Sequence, residues 1–175
     1  MAKALVVIDV QKIMFSMRGL LPHDGEAVVD RIAGLIARAR AAGVPIFFVQ
    51  HDGGPEEPEF QAGGPGFPFH DKLTPQTGDS VTVKQASSAF TGTDFDQSLR
   101  RAGIDHLVIT GMQSEYCVDS AVRGAVDRGY QVTLVADAHS TFDSKIAKAQ
   151  QIIAIQNDTL QGSFATVVPA AEAPF

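Results

Sequence analysis

One cysteine in 175 residues leaves no partner for an internal disulfide, so the chain suits a reducing compartment. Lysine and arginine form no run able to neutralise a row of phosphates. With 20 acidic against 14 basic residues the formal net charge is −6, which argues against nucleic acid as a partner. No apolar stretch approaches the ~20 residues that span a bilayer. Residues 1–5 lead straight into a strand-like run, so no export signal is expected and the expected location is cytoplasmic, away from membranes. No glycine-rich phosphate cradle follows that run, which speaks against a nucleotide binder, and no internal repeat is visible.

What is present describes a globular protein: 45% hydrophobic and 19% charged residues, with apolar side chains spread along the whole length. Residues 1–175 read as a single domain. Residues 4–8 are a continuous aliphatic run ending in Asp9, as in a strand buried on both faces. Further strands are expected at 44–49, 81–83, 106–110, 130–135 and 164–168, with helices at 24–42, 93–101 (capped by Thr93), 116–128 and 145–160. This alternation predicts an α/β fold, a three-layer α/β/α Rossmann-like domain on a six-stranded, mainly parallel sheet. Residues 51–79 are too rich in Gly and Pro for regular structure and read as a long functional loop. Within it, Phe60, Phe67 and Phe69 suggest an exposed apolar patch that subunits could bury.

In open parallel sheets ligands bind beyond the carboxyl ends of the strands. Asp9 follows the first strand, Lys84 the third and Cys117 the fourth, so all three should face one crevice. A helix N-terminus and a nearby ammonium both favour a thiolate, making Cys117 an expected nucleophile near neutral pH that alkylates below the pH a free thiol requires. Asp9 would accept its proton and return it to a leaving amine or ammonia; Lys84 would hold the pair, and backbone N–H groups of the turn 111–117 would receive an oxyanion. Each residue also has a plain alternative. A lone cysteine is more often an inert core residue, Asp9 could cap a helix, and Lys84 could be a solvated charge.

The residues become specific when taken as a series. Val7-Ile8-Asp9-Val10-Gln11, Lys84 with Ser88-Ala89-Phe90-Thr91-Gly92-Thr93, Thr110-Gly111-Met112-Gln113-Ser114-Glu115-Tyr116-Cys117-Val118, Gly129-Tyr130-Gln131-Val132 and Asp137-Ala138-His139-Ser140 occur in order. Together they resemble the isochorismatase-like cysteine hydrolase superfamily, which includes nicotinamidases and N-carbamoylsarcosine amidohydrolase. The resemblance implies a catalytic triad of Asp9, Lys84 and Cys117, a cis peptide between Met112 and Gln113, and an oxyanion hole from the N–H groups of Gln113 and Cys117. It implies hydrolysis of a C–N bond in a small amide, ureido or carbamoyl compound through a thioester, without a cofactor, by a dimer or tetramer. Metal-dependent nicotinamidases carry Asp-x-His after the second strand, where this chain has His51-Asp52-Gly53. His51 and His70 alone make a poor site, so a metal-free pocket is expected.

Gln11, Phe15, Phe90 and Met112 are the candidate substrate contacts. Asp137 is expected to cap backbone amides, Glu115 to favour the helix start, and His139 has no assigned role. Two other functions compete. An isochorismatase cleaves a vinyl ether without a thiol nucleophile, which Cys117 speaks against; a non-catalytic module would keep a thiol of ordinary reactivity.

Overall fold

A computed structural model describes residues 1–16 and 19–175. Strands β1 (Lys3–Ile8), β2 (Ile46–His51), β3 (Ser80–Lys84), β4 (His106–Met112), β5 (Gln131–Ser140) and β6 (Thr166–Val168) form one sheet in the order β3-β2-β1-β4-β5-β6. Every strand pairing is parallel. A parallel sheet needs helices on both faces, which is why β1 is apolar at consecutive positions: Ala4, Leu5, Val6, Val7 and Ile8 are all fully buried.

Helix α1 (Gly25–Ala41) lays Val28, Val29, Ile32, Leu35, Ile36 and Ala39 on one face, against Leu5, Val7, Phe48 and Val108. Helices α2 (Phe95–Arg101) and α3 (Asp119–Val126) cover the other face, where Phe95, Leu99, Ala121, Val122 and Ala125 meet Val6, Ile8, Leu107 and Ile109. Helix α4 (Ala149–Leu160) adds Leu160 to that second core. The expected three layers are therefore present.

Local departures have local causes. The expected helix 116–128 opens as a π-turn, Ser114–Val118, before α3 takes over. Thr93 does accept a hydrogen bond from the Phe95 N–H at 3.3 Å, although α2 starts only at Phe95. Strand β5 bulges, with residues 135–138 standing against Thr110 alone, before His139 and Ser140 pair again with Gly111 and Met112.

The segment after β2 holds one short 3-10 turn, Asp71–Leu73, and is strapped to the chain after β1. Lys12 N–H donates to Pro68 O (2.8 Å), Ile13 N–H to Gly66 O (3.0 Å) and His70 N–H to Val10 O (2.9 Å). Phe60 and Phe69 turn inward onto the α1-side core, Phe69 with its ring 5.2 Å from that of Phe48. The exposed aromatic patch expected here is thereby corrected for Phe60 and Phe69, because the breakers let the loop fold back over them; Phe67 is half-buried.

Candidate active site

The sheet order places β1 beside β4, with β2 and β3 on one side and β5 and β6 on the other, so a crevice opens beyond the carboxyl ends of β1 and β4. Asp9, in left-handed backbone conformation (φ 50°), turns the chain out of β1. Gly111 lets β4 pass unusually close to it: a Cβ there would lie 2.1 Å from Ile8 O, and its φ of 123° is open only to glycine without strain. The next peptide bond, Met112–Gln113, is cis. Among the described residues the Gln113 N–H meets no protein acceptor. Cys117 follows in the first turn of the helical segment begun at Ser114, in which the Tyr116 and Val118 N–H groups both donate to Gln113 O at 3.2 Å.

Lys84 ends β3, two strands from β1, a distance of roughly 10 Å at ~4.8 Å per strand. Its extended side chain crosses the end of β2 to close the gap. Nζ lies 2.7 Å from Asp9 Oδ2, 3.3 Å from Cys117 Sγ and 3.1 Å from His51 Nδ1. An ammonium only donates: Lys84 gives hydrogen bonds to Cys117 and His51 and faces Asp9 as an ion pair. The Asp9 and Lys84 side chains are wholly buried, and among the described residues neither Asp9 oxygen has a partner in hydrogen-bond geometry, so the 2.7 Å contact of Oδ2 with Lys84 is an ion pair.

Burial raises the Asp9 carboxyl above its ordinary value of 3.8, with Lys84 pulling the other way. Burial, followed by the negative charge of Asp9, pushes the Cys117 thiol up to about 12. That corrects the expectation of a thiolate at neutral pH: at this helix start, desolvation and a facing carboxylate outweigh the ammonium. At neutral pH the resting sulfur is a thiol. Burial, then the charge of Lys84, lowers His51 to about 4, so its ring is neutral.

Asp9, His51 and Cys117 each offer one donor atom within 4.8 Å of the others, a set of mixed oxygen, nitrogen and sulfur that a divalent ion such as zinc accepts. The Lys84 ammonium already bonds all three. A metal there would have to displace a buried cation. His70, the other histidine considered as a ligand, contacts Glu26 at 3.2 Å instead.

Three of the four expected substrate contacts, Gln11, Phe90 and Met112, are buried within the protein. Gln11 is fully buried with its amide spent on the backbone: Nε2 donates to His51 O (3.0 Å) and Phe67 O (2.7 Å), and Oε1 accepts from His51 N–H (2.8 Å). It positions His51. Phe90 is corrected from pocket wall to core, because the loop after β3 folds back and stacks it among Phe95, Tyr130 and Arg128. Met112 has no exposed surface and packs into the α1-side core, since alternation along β4 points it inward. Phe15 lies against the His70 ring at 4.7 Å.

Asp137 caps the Ala170 N–H at 2.7 Å, a backbone-capping role as expected, but at the C-terminal segment. Glu115 accepts from Thr141 Oγ1 at 2.9 Å. The role of His139 was not legible in the sequence. Its Nε2 donates to Asn157 Oδ1 (2.9 Å) and its Nδ1 accepts from Ser114 Oγ (2.8 Å), tying the turn before Cys117 to α4. His51, ending β2 directly beside Lys84 in register, was considered in the sequence only as half of a poor metal site.

Known proteins share this fold. An isochorismatase domain model matches residues 3–172. The isochorismatase family protein YddQ of Bacillus subtilis is 33% identical over 172 residues, covering 95% of this chain and 96% of its own. Ureidoacrylate amidohydrolase RutB of Klebsiella pneumoniae is 33% identical, covering 91% and 81%. Streptothricin hydrolase of Streptomyces noursei is 36% identical over 81% of this chain, which spans only 50% of that protein's length. Among solved structures, an isochorismatase-family hydrolase from Oleispira antarctica superposes with a TM-score of 0.92 at 31% identity, covering 98% and 95% of the two chains. N-carbamoylsarcosine amidase from Thermoplasma acidophilum gives a TM-score of 0.84 at 28% identity over the full length of both.

Proposed function

Because the chain belongs to the isochorismatase family of hydrolases, we propose that it hydrolyses a C–N bond in a small amide, ureido or carbamoyl compound through a thioester on Cys117. The observation that carries this reading is the buried Lys84 ammonium, bonded at once to the Asp9 carboxylate and the Cys117 sulfur. Two similar proteins are named for amidase chemistry on ureidoacrylate and N-carbamoylsarcosine, which favours a ureido or carbamoyl substrate.

Cys117 Sγ attacks the carbonyl carbon as its proton passes to Asp9, whose raised pKa makes it a better base than an ordinary carboxylate. A C–S bond forms and the carbonyl π pair moves onto oxygen, where the N–H groups of Gln113 and Cys117 receive it. Collapse breaks the C–N bond, and Asp9 gives the proton to the departing nitrogen. Water, losing a proton to Asp9, then attacks the thioester; the sulfur leaves and recovers that proton. Lys84 keeps its charge throughout and holds carboxylate and sulfur together.

The same reading includes a dimer or tetramer, supported by exposed Leu21, Tyr116, Ile146 and Ile155, and a reducing, cytoplasmic site of action for the single thiol. Replacement of Cys117 by Ala is the test. Ammonia or amine release from ureido and carbamoyl compounds should fall by at least ~10³-fold; turnover kept at the wild-type level removes the mechanism.

A further inference from the structure

His51 ends β2 at the rim of the crevice, and its position is fixed from several sides. Its N–H and C=O are both bonded by the Gln11 side chain, and its ring lies 5.0 Å from that of Phe60. Nδ1 faces Lys84 Nζ at 3.1 Å. Since an ammonium only donates, Nδ1 must accept, and the ring proton is assigned to Nε2 by that constraint. Among the described residues Nε2 has no protein partner. A rigid N–H donor thus stands one imidazole width from the Lys84 ammonium, on a half-buried side chain.

We propose that His51 performs two tasks through its two nitrogens: Nδ1 takes one N–H of Lys84 and so fixes the ammonium between Asp9 and Cys117, while Nε2–H binds an acceptor oxygen of the substrate beyond the scissile carbonyl. The inference rests on the hydrolase reading and narrows its substrate class. The compound carries, besides the C–N carbonyl taken by the backbone N–H groups, a second carbonyl or carboxylate oxygen. A ureide or carbamoyl compound with an acid or amide group has that shape. With Nδ1 engaged, His51 is a positioning residue for Lys84. It moves no proton in the reaction.

Two variants separate the tasks, because Asn places an acceptor near the Nδ1 position and Gln a donor near Nε2. With N-carbamoylsarcosine and ureidoacrylate as probes, and thermal melts to show that both variants fold, His51→Asn should raise KM by about tenfold or more with kcat little changed. His51→Gln should lower kcat by about tenfold or more, as expected when a transition-state group loses its support. Equal losses in both variants, or loss in neither, overturn the proposal. Nitrogen-15 NMR of the histidine rings supplies a readout that needs no substrate: His51 should be protonated at Nε2 and bare at Nδ1 at pH 7, and a proton on Nδ1 overturns the assignment. If the wild type hydrolyses no ureido or carbamoyl compound, the hydrolase reading fails, and the ring state still decides the Lys84 contact.

Discussion

Lys84 Nζ and Asp9 Oδ2 lie 2.7 Å apart with neither side chain exposed to solvent. A buried pair of this kind adds little stability when intact, yet breaking it from one side is costly, because the remaining charge has lost both water and partner. Lys84→Met should cost about 3–5 kcal/mol, a large part of the ~5–15 kcal/mol that holds a domain together. Asp9→Asn combined with Lys84→Met should regain most of it without restoring activity, since Asn tolerates the left-handed backbone at this position. Urea unfolding of the two variants checks this; equal destabilisation would show that the carboxylate is not the source.

After burial, the charge of Asp9 raises the pKa of the Cys117 thiol, while Lys84 lowers it. Removing the carboxylate in Asp9→Asn should therefore abolish turnover and yet make the thiol easier to ionise. One pKa unit is tenfold in thiolate fraction, so alkylation by iodoacetamide at pH 8 should quicken by about tenfold or more. In the wild type kcat/KM should fall as acid protonates Asp9, at a pH above the ordinary carboxylate value. A slower-alkylating Asp9→Asn variant would mean that the ammonium alone does not favour the thiolate.

Stability should fall on the acid side for a reason separable from catalysis. In the unfolded chain a histidine binds its proton near 6.5; folded His51 does so only at about 4. Between those values the unfolded state holds more protons, so stability present above pH 6.5 is lost as pH drops through the window. Buried His139, shifted in the same direction, adds to the effect. Denaturation midpoints measured from pH 7 to pH 4 should decline, and less steeply in His51→Asn.

Gly111→Ala should fail to fold. Its Cβ would sit 2.1 Å from Ile8 O in the strand pair that sets the crevice, and the backbone there has φ 123°. The cost should exceed ~4 kcal/mol. Circular dichroism and soluble yield are sufficient readouts. Gly34→Ala, within α1 and with open space at its Cβ, is the matched control and should be neutral or stabilising.

The strands could be read in advance because burial on both faces leaves a one-dimensional signature, as in the unbroken run from Ala4 to Ile8. Asp9, Lys84 and Cys117 could be placed at one rim because parallel topology sends every carboxyl end the same way. What decides side-chain roles at that rim is three-dimensional and left no such trace. Phe90 and Met112 look like lining residues in sequence, being close to Lys84 and Cys117, but the loop after β3 folds back and the pleat of β4 points inward. The thiol's ionisation was misjudged for a related reason: the helix start was visible, whereas the depth of burial and the facing carboxylate were not. His51 gained its meaning only from lying next to Lys84 in register.

The most direct test of the central claim is intact-mass spectrometry of the wild-type protein, acid-quenched during turnover of a ureido or carbamoyl substrate, followed by mapping of the modified peptide. The account predicts a substrate-derived acyl adduct on Cys117, absent without substrate and absent in Cys117→Ala. Full turnover with no adduct at any quench time, and with activity kept in Cys117→Ala, would contradict it.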